Sequence, residues 1–364
     1  MTTGETYLDW NATAPLRPQA AAAIERALAL GGNPSSVHGR GRAARRLVEE
    51  SREAVAALVG APAGGVTFTS GGTEANHLAL IGSGRERVLV SAVEHSSVLQ
   101  AAPDAERIPV DGDGIVDLAA LAARLDADPR PALVSVMLAN NETGAIQPVR
   151  EIAGIAHAHG ALFHCDAVQA AGKVPLVLAE IGADLLTLSA HKLGGPAGIG
   201  AVVSAGPELT PLQRGGGQER NRRAGTENLA GIAGFATAAA ACDPAEYDRV
   251  RELRERLEAA LTEAVVVGAE APRLPNTSAI AMPGVPAETQ IIAFDLDGVM
   301  VSAGAACSSG KVGPSHVLAA MGIAPEIAGA TIRVSLGWST TEAEIAHFID
   351  AWTALHRRTR RRAA

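Results

Sequence analysis

Short apolar runs alternate with stretches of helical periodicity over about residues 18–205 of the chain. The runs are apolar at nearly every position, which is typical of strands buried on both faces, and helices between them imply crossover connections in a mostly parallel sheet. The predicted strands are Val66–Thr69, Val88–Ser91, Leu133–Leu138, Ala161–Cys165, Leu185–Leu188 and Ile199–Val203. Helical periodicity is clear at Gly41–Val59 and Val149–Ala158. The sequence therefore predicts a three-layer α/β domain.

The pattern changes after about residue 250. A long charged helix is predicted at Tyr247–Val265, and the elements beyond it indicate a smaller α+β domain. Its predicted strands are Thr277–Ala281, a run around Val299–Val301, and Thr331–Leu336, and its predicted helices are Ala287–Asp295, Ser315–Ala320 and Glu342–His356. We therefore expect a large domain at residues 16–250 and a small one at residues 251–364, with residues 1–15 packing on the small domain.

Composition favours a cytoplasmic enzyme over a disordered regulator, a membrane protein or a nucleic-acid binder. The 364 residues are 47% hydrophobic, so a large core can form, and the net charge of −8 argues against binding by phosphate neutralisation. The longest uncharged apolar run, Leu229–Cys242, is shorter than the roughly 18–20 residues that a membrane span needs, and the N-terminus lacks the apolar core of a signal peptide. The arginine-rich residues 357–362 are either a solvated end or a contact for an acidic partner or RNA.

The first chemical signal follows the strand at Val66–Thr69, where the sequence continues Ser-Gly-Gly-Thr-Glu-Ala-Asn. The glycines let the backbone approach a ligand, and a helix predicted to begin at Thr73 offers free N–H groups to an anion. The segment lacks the Gly-Lys-Ser/Thr ending of a nucleotide-binding loop, so a monophosphate fits better than ATP. An ordinary helix cap after a turn remains the alternative for this segment taken alone.

Polar side chains also follow the other predicted strands. They are Glu94 and His95, Asn140 and Asn141, Asp166 and Gln169, and Ser189, His191 and Lys192. Ligands bind beyond the carboxyl ends of strands in an open α/β sheet, so these residues should share one site. A buried lysine amine there can form a Schiff base. Together with an anion cradle and a carboxylate that keeps a pyridine nitrogen protonated, such a lysine indicates pyridoxal 5′-phosphate (PLP) as cofactor.

The chain resembles the cysteine desulfurases of the NifS/IscS type, which are fold-type I PLP enzymes of the class-V aminotransferase family. The resemblance covers about residues 7–350, in family order, and one departure is Ala14, where the family usually has threonine. Its motifs lie at residues 8–15, 32–36, 68–74, 94–95, 140–144, 164–169, 189–192, 215–220, 223–226 and 332–337.

The resemblance implies a role for each matching position. Lys192 would hold the cofactor aldehyde, Asp166 would meet the pyridine nitrogen, Gln169 the ring hydroxyl, and His95 would stack on the ring and act as an acid or base. The implied phosphate ligands are Gly72, Thr73, Ser189 and His191, with Thr226 from the other subunit of a homodimer. Asn141 would contact cofactor and substrate, and Arg333 would bind the substrate carboxylate with Asn33 nearby. For Arg333 alone, a salt bridge at a surface or domain interface is the alternative.

The three cysteines, Cys165, Cys242 and Cys307, form no disulfide framework and no Cys-x-x-Cys zinc motif, so no metal site is expected. Cys307 lies in a small, polar, glycine-punctuated stretch with Lys311 nearby, which is typical of a loop whose thiolate could react. The alternative is a small buried hydrophobic residue, which we expect for Cys165 and Cys242. In the resembling family, the cysteine matching Cys307 accepts sulfur as a persulfide.

The implied activity is conversion of L-cysteine to L-alanine with transfer of sulfur to Cys307. The acceptor after Cys307 would be an iron–sulfur scaffold protein or another sulfur carrier. A selenocysteine lyase, a kynureninase-like hydrolase, an aminotransferase and a non-catalytic scaffold relative are the alternatives. Cys307 argues against the hydrolase and the aminotransferase, whereas the filled reactive positions argue against a non-catalytic relative.

Overall fold

The structure is a computed structural model that describes residues 5–304 and 315–363. Its strands, in chain order, are β1 (Thr6–Tyr7), β2 (Val66–Thr69), β3 (Arg87–Ser91), β4 (Glu106–Ile108), β5 (Ala132–Ser135), β6 (Leu162–Asp166), β7 (Leu185–Ser189), β8 (Gly200–Ser204), β9 (Val265–Val267), β10 (Thr277–Ala281), β11 (Val299–Met300), β12 (Ser302–Ala303) and β13 (Thr331–Ser335).

The α-helices are of very unequal length. In chain order they are α1 (Pro18–Leu30), α2 (Gly39–Leu58), α3 (Gly72–Gly82), α4 (Ser96–Ala101), α5 (Leu118–Ala127), α6 (Val149–Ala158), α7 (Leu178–Ile181), α8 (Leu229–Ala240), α9 (Glu246–Ala260), α10 (Ala287–Leu296), α11 (His316–Ala320), α12 (Pro325–Ala328) and α13 (Glu342–Ala363).

The larger sheet has seven strands in the order β2-β8-β7-β6-β5-β3-β4 among the described residues. The pairs from β7 through β6, β5 and β3 to β4 are parallel, whereas β8 runs antiparallel to both β7 and β2. Because β8 reverses direction against both neighbours, β2 runs the same way as the parallel strands. The prediction of a mostly parallel sheet in an α/β fold is confirmed.

Helices cover both faces of this sheet. Adjacent strand residues belong to different apolar clusters: Leu89 and Val134 lie in one, and Val90 and Leu133 in the other. Successive side chains of a strand point to opposite faces, so the two clusters are the two faces. Residues of α2, α5, α6 and α8 join the first cluster, and residues of α3 and α4 join the second. This double burial explains why the strands are apolar at nearly every position.

The smaller sheet has the order β12-β13-β10-β9 and is antiparallel. Its core contains Phe294, Phe348 and Trp352 from α10 and α13, together with Leu8 from the N-terminal segment. That segment also forms β1, which pairs in parallel with β11. The predicted domain limits at residues 16–250 and 251–364 stay a prediction.

The structure corrects two predicted helices and adds short strands. The helix predicted at Glu342–His356 continues to Ala363. The helix predicted at Tyr247–Val265 runs from Glu246 to Ala260, and Val265 instead begins β9 beside β10. Val265 is 42% exposed and Val267 is buried, and a strand of three residues is too short for this alternation to distinguish it from a helix end. β1 and β4 were not predicted, because strands of two or three residues are too short for a periodic signal.

Two searches for special features concern only the part of the chain that the structure describes. None of its helices is both long enough and apolar enough to cross a bilayer. Its His, Cys, Asp and Glu side chains form no group of three or more that could hold a metal ion.

Candidate active site

Five strands of the larger sheet end at one edge and deliver residues to one cavity. β2, β3, β5, β6 and β7 share one direction, so their carboxyl ends meet there. The cavity has a volume of about 340 Å³. It is lined by Asn11, Ala12, Gly72, Thr73, Asn76, His95, Ser97, Asn141, Asp166, Val168, Gln169, Ser189, His191, Lys192 and Arg333. Most of the predicted site residues therefore lie around a single space of a size suited to a cofactor.

The anion cradle lies at the start of α3, which begins at Gly72 rather than Thr73. A Cβ at Gly72 would stand 3.1 Å from Val168 Cγ2 and 3.4 Å from Ser189 Cβ, so a side chain here would narrow the cavity wall. The first-turn carboxylate of Glu74 accepts from Ser70 N–H at 2.7 Å and from Arg223 Nε at 2.9 Å. Burial opposes its ionisation, but these donors lower the pKa of Glu74 overall. The first backbone N–H groups of a helix have no acceptor within the helix, so those at the start of α3 can donate to an anion in the cavity.

Asp166 ends β6 and is held in place by two donors. Its Oδ2 accepts from Asn76 Nδ2 at 2.8 Å and its Oδ1 from Val168 N–H at 2.9 Å, while its side chain is buried. Asn76 is fixed in turn, because its Oδ1 accepts from Thr187 Oγ1 at 2.7 Å. Two N–H donors fix the orientation of the Asp166 carboxyl group, which suits it to hold a protonated ring nitrogen.

His95 precedes α4 and acts as its N-cap. The backbone N–H of Ser97 donates to His95 Nδ1 at 3.1 Å, so Nδ1 carries a lone pair and the proton of the neutral ring lies on Nε2. Burial lowers the pKa of His95, nearby Asp166 opposes this, and Lys192 and His316 add to the lowering. The imidazole is therefore neutral at pH 7, in keeping with a ring that stacks on an aromatic cofactor or exchanges a proton.

Lys192 lies in a short 3-10 turn, Ala190–Lys192, directly after β7. Its Nζ donates to the carbonyl oxygens of Asn11 at 2.5 Å and Ala12 at 2.9 Å. The adjacent His191 has its pKa lowered to about 4 by burial and by the charge of Lys192. The Lys192 amine thus lies at the cavity and contacts the backbone of the N-terminal segment, which is far away in sequence.

Arg333 enters the cavity from β13 of the smaller sheet and is 4% exposed. Its Nη1 donates to the Asn141 carbonyl at 3.1 Å and its Nη2 to Asp9 Oδ1 at 2.8 Å. Its Nε is buried and has no hydrogen-bond partner among residues 5–304 and 315–363. Arg333 thus forms the salt bridge considered from the sequence and also lines the cavity. A buried donor without an acceptor beside a cavity suits a bound carboxylate.

Two predicted residues that the structure describes are not brought to this cavity. Asn33 and Thr226 are exposed and do not line it, and Asn33 Oδ1 instead accepts from Ser35 N–H at 2.8 Å. Cys307 lies outside the described residues. Cys165 is buried within β6, and burial raises its pKa well above that of an ordinary thiol. Cys242 follows α8, and burial raises its pKa to about 11. Both therefore stay protonated and unreactive at neutral pH.

Several lining residues were missed by sequence reasoning, namely Asn11, Ala12, Asn76, Ser97 and Val168. Asn76 had a usable signal, because it follows Gly72 by four residues and so shares the same helix face. Asn11 and Ala12 come from the N-terminal segment, where a residue pattern gives no indication of contact with Lys192.

The residues present fit PLP. Lys192 provides the amine, Asp166 a fixed carboxylate, α3 a set of N–H groups at the glycine-lined wall, and Arg333 Nε a buried donor that a bound acceptor would satisfy. The chemistry of this donor set matches an anionic phosphate, a protonated ring nitrogen and an aldehyde.

Comparison with known proteins agrees with this geometry. The model of the family described as aminotransferase class-V matches residues 6–348. A cysteine desulfurase from Cereibacter sphaeroides is 46% identical over 364 residues, which cover 94% of each chain. An IscS-like cysteine desulfurase from Mycobacterium tuberculosis is 37% identical over 386 residues, covering 98% of each. The X-ray structure of a NifS-like protein from Rickettsia africae matches with a TM-score of 0.90 at 36% identity, over 97% of this chain and 99% of that one. The chain therefore belongs to the class-V aminotransferase family and, within it, to the cysteine desulfurases of the NifS/IscS type.

Proposed function

We propose that this chain converts L-cysteine to L-alanine and passes the sulfur to Cys307 as a persulfide. The chain is a PLP-dependent cysteine desulfurase by family. The observation that carries the proposal is the single cavity in which Lys192, Asp166 and His95 face a buried, unpartnered nitrogen of Arg333. An amino-acid substrate needs such a combination of an amine-bearing cofactor site and a carboxylate clamp.

Each part of the cavity would hold one part of the cofactor. Lys192 would bind the aldehyde and Asp166 the ring nitrogen, while His95 would stack on the ring and Gln169 would donate to the ring hydroxyl. The phosphate ligands would be Gly72, Thr73, Ser189 and His191, and Asn141 would contact both cofactor and substrate. When bound, PLP supplies an electron sink that makes the α-proton of an amino acid removable.

The side chains of the protein would then perform the proton transfers and the sulfur transfer. The Lys192 amine would remove the α-proton of the substrate, and Lys192 or His95 would return a proton later. The Cys307 thiolate attacks the substrate sulfur, the carbon–sulfur bond breaks, and its electron pair stays with the carbon. Protonation of that carbon gives alanine, and Cys307 retains the sulfur as a persulfide.

Arg333 would orient the substrate through its carboxylate. Its Nη1 and Nη2 are already engaged with Asn141 and Asp9, so the guanidinium plane is fixed before substrate arrives. A pre-oriented donor loses little side-chain entropy on binding, which favours a well-defined position for the α-carbon. Asn33 would lie near this end of the site only after the loop that carries it moves inward or a second chain supplies it.

Thr226 supports a homodimer in this proposal. It is exposed and outside the cavity of its own chain, so it would serve as a phosphate ligand in the cavity of the partner subunit. The sulfur acceptor would be an iron–sulfur scaffold protein or another sulfur carrier, and the setting would be the cytoplasm. The IscS name of several relatives supports the iron–sulfur assignment.

The test is to incubate the purified, cofactor-loaded protein with L-cysteine and a reductant and to measure alanine and sulfide together. We expect equal amounts of both products. Lys192→Ala should abolish turnover, whereas Cys307→Ala should keep the cofactor and lose both alanine and sulfide. Persulfide formation retained in Cys307→Ala would contradict the role of Cys307. Alanine released from L-selenocysteine but not from L-cysteine would contradict the proposed substrate.

A further inference from the structure

The chain uses lysine in only three places. Of its 31 basic residues other than histidine, 28 are arginine and the lysines are Lys173, Lys192 and Lys311. Arginine stays charged and donates in a planar fork, whereas lysine offers a compact amine. Lys192 already has a role in the cavity, and Lys311 lies outside the described residues. Lys173 is therefore the one described lysine to which no role has yet been assigned.

Lys173 lies in the turn that follows β6 and is only 3% exposed. Its Nζ donates to Gln169 Oε1 at 3.0 Å and to Asn11 Oδ1 at 3.0 Å. Both acceptors are neutral amides, and no carboxylate among the described residues forms an ion pair with Lys173. A buried ammonium group without a counter-charge is costly, so this arrangement needs a compensating role.

The contact fixes the orientation of the Gln169 amide. Lys173 Nζ donates to the side-chain oxygen of Gln169, so that oxygen faces Lys173 and the amide nitrogen faces away from it. The Gln169 Nε2 then donates to the Asn11 carbonyl at 2.9 Å, and its second N–H remains for the cavity that Gln169 lines. Without Lys173 the amide could rotate and present its oxygen to the cavity instead.

The charges around Lys173 also favour an N–H group of Gln169 that faces the cavity. Burial lowers its pKa, and the nearby cations Lys192 and Arg333 add to that lowering. The three basic groups lie near one another, and Lys192 and Arg333 line the cavity, so a negatively charged oxygen bound there would relieve their mutual repulsion. Gln169 lies between Lys173 and the cavity and can transmit this preference through its N–H.

We propose that Lys173 is a positioning residue that locks the Gln169 amide, so that an N–H group meets the ionised ring oxygen of the bound cofactor. The inference rests on the proposed function, which assigns that oxygen to Gln169. Lys173 touches neither cofactor nor substrate and acts through Gln169 and Asn11.

The test compares two replacements of Lys173. Lys173→Met keeps the length of the side chain but removes the donor, whereas Lys173→Gln keeps an N–H donor without the charge. PLP is titrated into each apo-protein to obtain its dissociation constant. The absorbance of the bound cofactor is then followed against pH, since its protonated and ionised forms absorb at different wavelengths.

We expect Lys173→Met to weaken PLP binding by about tenfold, the size of one lost hydrogen bond to a charged group. The pH midpoint of the absorbance change should rise by about one unit, because the ionised oxygen loses its donor. Lys173→Gln should recover binding to within about threefold of the original chain. A loss of folding stability alone would not move the absorbance midpoint, so this readout separates positioning from a structural role.

A double-mutant cycle with Gln169→Leu shows whether Lys173 acts through Gln169. We expect Lys173→Met to have no further effect in the Gln169→Leu background. Independent, additive losses would overturn the lock, as would an unchanged absorbance midpoint in Lys173→Met. If Lys173→Met does not fold, Lys173→Ala, which also removes the donor, enters the same cycle with the same criterion. Failure of the unmodified chain to bind PLP would instead refute the proposed function.

Discussion

The ion pair between Arg52 and Glu219 should be among the most sensitive points of the larger sheet. Both side chains are 3% exposed, with Arg52 Nη1 2.7 Å from Glu219 Oε2 and Arg52 Nη2 3.1 Å from Glu219 Oε1. The same Oε2 accepts from the Phe68 backbone N–H at 2.9 Å. This pair therefore ties α2 and β2 to the segment that carries Glu219.

The pair also holds a strained backbone. Glu219, Arg220 and Asn221 have φ values of 45°, 57° and 65°, a left-handed conformation that costs about 1–2 kcal/mol for each residue with a side chain. Such strain persists only where other contacts determine the conformation. Thr226 follows a few residues later, so the proposed contribution to the partner subunit depends on this segment.

Glu219→Gln keeps the shape of the side chain but leaves the buried Arg52 charge with one remaining ionic partner among the described residues, the half-exposed Glu49 carboxylate at 3.3 Å from its Nε. Breaking one side of a buried ion pair costs about 3–5 kcal/mol. We expect the segment around residues 215–228 to open rather than the whole fold, because its strain is released locally. Hydrogen exchange followed by mass spectrometry should therefore show about a hundredfold faster exchange at Phe68 and in that segment.

Two further variants serve as controls for the effect of Glu219→Gln. Glu342→Gln breaks the exposed pair with Arg256, whose side chains are 77% and 57% exposed, and should cost less than about 1 kcal/mol. The double variant Arg52→Met with Glu219→Gln removes both buried charges, keeps a side-chain acceptor for the Phe68 N–H, and should restore most of the protection. Equal exchange in Glu219→Gln and in the unmodified chain, or a double variant no better than the single one, would refute the reasoning.

Three further changes test the site and its surroundings. Gly72→Ala places a Cβ 3.1 Å from Val168 Cγ2 at the cavity wall, and it should weaken PLP binding about tenfold in a fluorescence titration; unchanged binding would place the phosphate elsewhere. Arg333→Lys replaces the fork by one ammonium group and should raise KM for L-cysteine by one to two orders of magnitude, with a smaller change in kcat, in steady-state assays. Burial raises the pKa of Glu94 to about 8, above its unfolded value, so the folded chain holds an extra proton between about pH 5 and 8 and loses stability as pH rises through that range. Glu94→Gln should remove up to about 1.4 kcal/mol per pH unit from that slope in urea unfolding, and an unchanged slope would contradict it.

Much of the cavity could be predicted because parallel strands bring their carboxyl ends together. Asp166, Lys192 and His95 each follow a strand that is recognisable as an apolar run, and topology alone then places them at one edge. The apolar runs are recognisable because helices cover both faces of the sheet. The positions where polarity returns therefore include His95, Asp166 and Lys192, which line the cavity.

Contacts between residues that lie far apart in the sequence could not be predicted in this way. Lys173 Nζ contacts Asn11, 162 positions earlier, and Asn276 Nδ2 reaches the same Asn11 oxygen across 265 positions. No local periodicity encodes such a pair. Thr226 is a different case. Its sequence motif is recognisable, but its proposed contact is with the cofactor site of another chain.

Asn11 explains why neither sheet can form this site alone. Its carbonyl oxygen accepts from Lys192 and Gln169 of the larger sheet's edge, and its side-chain nitrogen donates to Thr277 Oγ1 on β10 of the smaller sheet at 2.9 Å. An aspartate here would lose that donor, and an alanine would leave Lys173 with one acceptor fewer. The N-terminal segment therefore fixes the distance between the amine that would hold the cofactor and Arg333, which would hold the substrate. Positioning the α-carbon between them requires both sheets and the segment that joins them.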